Sequence, residues 1–99
     1  MKYLAIAEWR PEDTGEVIRK AKIFFKEREF GADRYPDFAF EPHTMIGENK
    51  AFAVYEGTHE QLTNVMNHWI GLVKLKFIPI IEQVKAMELY EERAREYYG

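Results

Sequence analysis

Glu41 and His43 are the pair whose types and spacing come closest to working chemistry. They stand two apart in "FAFEPHTMI", which reads as a strand, so their side chains share a face. A carboxylate beside an imidazole can hold the ring in one tautomer and ready its other nitrogen for proton transfer. The turn that follows decides which face they share. A three-residue turn at residues 47–49 sets His43 opposite Ala53, and a two-residue turn at Gly47 and Glu48 sets it opposite Phe52. A histidine that is merely hydrogen-bonded is the plainer alternative, and the sequence leaves both open.

The other histidines offer less. His59 and His68 are nine apart on one expected helix and fall on opposite sides of it, so they cannot chelate an ion together. Solvent-facing roles are expected for both. The chain has no cysteine, which excludes a thiol nucleophile, a Cys-ligated zinc and a disulfide framework. No metal and no cofactor is expected.

Hydrophobic periodicity supplies the elements that must position these residues. "KYLAIAEW" reads as a first strand. Asp13 and Glu16 form a possible capping box for a helix that should fade near Gly31. "FAFEPHTMI" and "NKAFAVYE" are the second and third strands. Thr58 and Gln61 give a second capping box, opening a helix with Leu62, Val65, Met66, Trp69, Leu72 and Val73 as its apolar stripe. "LKFIPIIEQV" is the fourth strand, and "MELYEERAREYYG" a charged terminal helix. Pro42 and Pro79 place the second and fourth strands at the sheet edges.

The predicted fold class is therefore α+β: a single domain over residues 1–99, with the ferredoxin-like β-α-β-β-α-β plan, an antiparallel four-stranded sheet in order 4-1-3-2, and an added C-terminal helix. One register suits the central pair. It sets Lys2 against Glu56, Tyr3 against Tyr55, Leu4 against Val54, Ile6 against Phe52 and Glu8 against Lys50, with alanines facing alanines between them.

Two helices cover only one face of such a sheet. The Leu4/Ile6/Phe52/Val54 side is the expected helix side, since bulky aliphatics suit helix packing. The Tyr/Ala/Trp side is then bare, and a second copy in two-fold contact is its simplest cover. The alanines would leave room between the sheets, with Tyr3, Trp9 and Tyr55 at the ends of a space fit for a small ligand. Alternatively, the alanines simply let two sheets approach closely.

Composition narrows the classes. The net charge is −3, and Lys and Arg are scattered, so no nucleic-acid footprint is expected. No apolar run approaches the ~20 residues of a membrane span. The opening "MKYLAIAEWR" meets charge too early for a signal peptide, so a cytoplasmic protein is expected. Hydrophobic residues make up 46% of the chain, enough for a packed core.

His43 before the hairpin, residues 52–56 closing the third strand, Trp69 late in the second helix and Pro79 in "FIPII" carry a resemblance. In these the chain resembles the dimeric α+β barrel superfamily and, more narrowly, a family of small uncharacterised proteins classed as a domain of unknown function. The likeness spans about the second half of the chain. It implies two ferredoxin-like chains packed sheet to sheet. The wider superfamily includes cofactor-free monooxygenases, haem-dependent enzymes, isomerases and ligand-binding regulatory domains, and fold analogy does not choose among them.

An RNA-binding module shares the β-α-β-β-α-β order, and "KAFAVY" is loosely similar to its third-strand signature. Its platform needs stacked aromatics on both central strands, and "LAIAEW" has none at its centre. The expected function is thus a homodimer that binds a small, partly apolar molecule between its sheets, with His43 the proton-handling group if it works as a cofactor-free enzyme. The alternative is a non-catalytic binding, regulatory or interaction domain of the same fold.

Overall fold

The structure, a computed structural model, describes residues 1–98 apart from the side chains of Ala32, Tyr97 and Tyr98. Its elements run β1 (Lys2–Glu8), α1 (Thr14–Phe30), β2 (Asp37–Thr44), β3 (Lys50–Glu56), α2 (His59–Trp69), β4 (Lys74–Ile80) and α3 (Gln83–Tyr98). Short 3-10 turns at Pro11–Asp13 and Ala32–Arg34 flank α1. The strands form one antiparallel sheet in order β2-β3-β1-β4, the expected order read from the other edge. The terminal helix starts earlier than its charge pattern suggests, at Gln83, and its expected last residue, Gly99, lies outside the described residues.

The central register is the one expected in all seven pairs, from Lys2 opposite Glu56 to Glu8 opposite Lys50. Both prolines lie on edge strands, where the missing N–H breaks no inner ladder. Pro42 also falls inside an irregular stretch of β2, whose register against β3 shifts between Phe38 and Phe40 and again before His43. Two extra residues are absorbed there, as in β-bulges.

The covered face is the reverse of the one expected. Tyr3, Ala5, Ala53 and Tyr55 are buried, and they share one cluster with Phe24 of α1, Tyr35, and Leu62 and Val65 of α2. Both helices therefore lie over the tyrosine and alanine side. Leu4, Ile6, Phe52 and Val54 are only half-buried, and Phe40 on the same side is 45% exposed. The physical reason is volume matching. The helices bring the bulk themselves, as Phe24, Leu62 and Trp69, and the small alanines receive it at native packing density. Aliphatics on both sides would hold the layers too far apart.

The two predicted capping boxes fare differently. At α2, Thr58 Oγ1 accepts from the Gln61 N–H (3.2 Å) and Gln61 Oε1 accepts from the Thr58 N–H (3.0 Å). At α1, Asp13 makes no cap bond. Its carboxylate is drawn to Arg10 Nε at 2.9 Å, and Glu16 pairs with Arg19 one turn on. The start of α1 is held by Thr14 instead, which donates to Pro11 O (2.7 Å) and accepts from Trp9 Nε1 (3.2 Å).

Candidate ligand cavity

The alanines do leave a space, beneath α1 rather than between two sheets. A cavity of about 280 Å³ lies between the sheet and α1, floored by Ala5, Ala7, Ala51 and Ala53. Trp9, Phe24, Tyr55 and Trp69 stand around it. Ile18 and Phe25 of α1 line it while remaining half open to solvent, which marks its mouth opposite Pro42 and Thr44 of β2. The volume is about twice that of a ~150 Å³ apolar cavity that takes up benzene. The walls are overwhelmingly apolar, so the space suits a largely apolar guest.

Of the aromatic residues expected around a ligand, Trp9 and Tyr55 line this cavity. Tyr3 shares their side of the sheet but lies in the packed core, where its hydroxyl meets Met1 Sδ (3.3 Å) and His59 Nε2 (3.1 Å). Tyr55 stacks on Phe38 with ring centres 5.2 Å apart, and burial pushes its phenol up to about 12, with the positive charge of Arg28 opposing the rise. Arg28 lies over the Phe38 ring at 3.7 Å and donates to Pro36 O, closing the far end of α1 onto the sheet.

The hairpin resolves the position of His43. Met45 N–H bonds Lys50 O (2.9 Å), Glu48 N–H bonds Met45 O (3.2 Å), and Ile46, Gly47, Glu48 and Asn49 make the turn. Gly47 has φ +83°, a value that glycine reaches without strain. This turn is longer than either of the two expected, yet its register is that of the shorter one: His43 stands opposite Phe52. Its ring stacks with Phe40 (4.7 Å) and Phe52 (5.8 Å) on the side away from the helices. His43 borders the cavity through its place on β2.

Glu41 supports the imidazole in a different way from the one expected. Its backbone carbonyl, not its carboxylate, lies 2.6 Å from His43 Nδ1. A carbonyl only accepts, so Nδ1 carries a proton and Nε2 is the nitrogen left for other partners. Both residues are exposed.

No family model, curated protein or solved structure matches the chain. The site is therefore read from its own geometry. Among the described residues no group of three or more His, Asp or Glu is placed to hold a metal ion, and no helix is long and apolar enough to cross a membrane.

One structural residue escaped the sequence reading. His68 was expected in solvent, but its side chain is only 11% exposed. Its Nε2 lies 3.0 Å from Lys20 O, while Lys20 Nζ donates to His68 O (3.2 Å). This reciprocal pair ties α2 to α1 beside the Phe24 and Trp69 rings. A histidine one residue before the apolar stripe's Trp69 was the available signal, since that position sits at the border between helices.

Proposed function

We propose that this chain is a ferredoxin-like protein of the dimeric α+β barrel type that binds a small, largely apolar molecule in the cavity beneath α1. The observation that carries the reading is the alanine floor: four small side chains from β1 and β3 keep about 280 Å³ open among aromatic rings. A cavity of this size beside an otherwise filled core forfeits packing energy, of order 24 cal/mol per Å³ in apolar cores, unless a guest or solvent occupies it. Pairing with a second copy uses the other side of the sheet, where Leu4, Ile6, Phe52, Val54 and Ile78 form an apolar band. Binding without catalysis fits best, because the His43 ring is stacked on the far side from the alanines.

Ala51→Leu tests the cavity by filling it. Naphthalene and 1-octanol serve as compact and linear apolar probes, followed by NMR shifts of the alanine amides. The wild type should respond to at least one probe, and Ala51→Leu should weaken that response by about tenfold or more. Equal binding by the two proteins places the guest elsewhere. His43→Ala should leave probe binding unchanged; a loss there would make the ring part of the binding wall.

A further inference from the structure

Among the described residues, α3 buries little of its surface. Of residues 83–96, only Ala86 and Ala94 are even half-buried. Val84 is 67% exposed, Met87 54% and Tyr90 75%. The molecule measures 58 × 32 × 20 Å, and its radius of gyration is 16.9 Å, against about 13 Å for a compact chain of this length. At 100° per residue Ala86, Met87, Tyr90 and Ala94 fall in one stripe, Lys85, Glu88, Glu92, Arg95 and Glu96 fall opposite, and Val84 and Leu89 lie on the two flanks of that charged face. An isolated helix of this length is marginal in water, so the stripe needs a partner surface.

The exposed side of the sheet says which partner. Its apolar band has charged rows at both ends. One end carries Asp37, Glu56 and Glu82 around Lys2; the other carries Lys50 and Lys74 around Glu8, with Lys76 one row inward opposite Ile6. A two-fold axis lying across the strands sets the acidic end of each copy over the basic end of the other. An axis along the strands would set like over like. The face is thus self-complementary in one orientation, with the strands of the two copies antiparallel.

That orientation fixes where α3 goes. Its root is at the acidic end: Glu82 pairs with Lys2 at 3.4 Å, and Lys2 belongs to the exposed side. Each root then stands over the second copy's basic end. There an open groove is lined by Trp9, Leu72 and Val73 among the charged side chains of Glu8, Arg10, Asp13 and Lys74, with Ile70 70% exposed beside it.

We propose that α3 is a clasp that leaves its own sheet and lies in the Trp9/Leu72/Val73 groove of a second copy, each copy holding the other. This rests on the sheet-to-sheet pairing proposed above.

The test uses the full chain in sedimentation velocity and hydrogen exchange. The wild type should be a dimer at micromolar concentration, and Ile6→Lys, on the exposed sheet side, should be a monomer. Met87→Glu with Tyr90→Glu should raise the dissociation constant by about tenfold or more. In unsubstituted α3, amides 83–96 should exchange slowly in the wild-type dimer and fast in the Ile6→Lys monomer. A wild-type dimer whose α3 exchanges as fast as the monomer's, or whose affinity ignores Met87 and Tyr90, overturns the clasp and leaves the sheet pairing standing. A wild type that stays monomeric at high concentration overturns both.

Discussion

The two faces of the sheet are both apolar, yet they end in different states. One presents tyrosines and alanines and lies under two helices, with Tyr3, Ala5, Ala53 and Tyr55 each no more than 6% exposed. The other presents Leu4, Ile6, Phe52 and Val54 and remains half-open. By hydrophobicity alone the second is the better candidate for burial. The difference teaches that a helix layer selects a floor by shape before apolarity. Rings from α1 and α2 need recesses, and alanine rows provide them. Where the rings do not fill the recess completely, the same alanines leave the cavity.

The strongest way to break this comparison is to truncate one aromatic on each side. Phe24, 2% exposed, packs against Tyr35, His68 and Trp69. Phe24→Ala should cost about 3–5 kcal/mol, most of the stability of a domain this small. Phe52→Ala removes a half-exposed ring and should cost about 1 kcal/mol in dilute, unpaired protein. Urea unfolding at low concentration measures both. Equal losses would mean that the two faces are buried alike in solution.

The sequence carried different amounts of information about these layers. The central register was legible, because Lys2/Glu56, Tyr3/Tyr55 and Glu8/Lys50 match in one alignment only. Opposition does not guarantee an ion pair, however: Lys2 reaches to Glu82 instead of Glu56. The edge positions of Pro42 and Pro79 were legible from backbone chemistry. The covered face was not, since it depends on volumes that arrive from helices distant in sequence. The side occupied by His43 was hidden by the irregular stretch of β2, whose shifts let Phe40 and His43, three apart, stack on one face. The seat of α3 was also hidden: amphipathy shows that a helix needs a partner, not that the partner lies on the same chain.

Tyr55 sharpens the comparison through pH. Burial on the covered face raises its phenol to about 12 in the folded chain, above the ordinary value of about 10 that it regains on unfolding. The neutral form is the one the fold favours. Its contribution is therefore intact below pH ~10 and is lost as pH rises from about 10 to about 12, reaching about 2 kcal/mol at the upper end. Tyr35 is also raised, by burial and by its 2.6 Å hydrogen bond to Glu27, and acts in the same direction. The difference between wild type and Tyr55→Phe isolates Tyr55. Parallel stability curves for the two proteins above pH 10 would mean that the phenol is solvated and the face less closed than its packing indicates.

The smallest effect separates the two halves of the covered face. Val65 and Leu62 of α2 are packed against the sheet, whereas α1 supplies Val17, Ile18, Ala21 and Phe25 to the cavity wall. The helix starts match this division. α2 is fixed by a reciprocal cap at Thr58 and Gln61, and α1 has no side-chain cap at Asp13. Thr58→Ala should cost about 1 kcal/mol, because a turn of α2 loses a bonded N–H where the helix is tightly docked. Asp13→Ala removes only an exposed pairing with Arg10 and should leave the thermal midpoint nearly unchanged. A loss at Asp13 as large as that at Thr58 would show that the start of α1 is capped in solution and the cavity side held as firmly as the other.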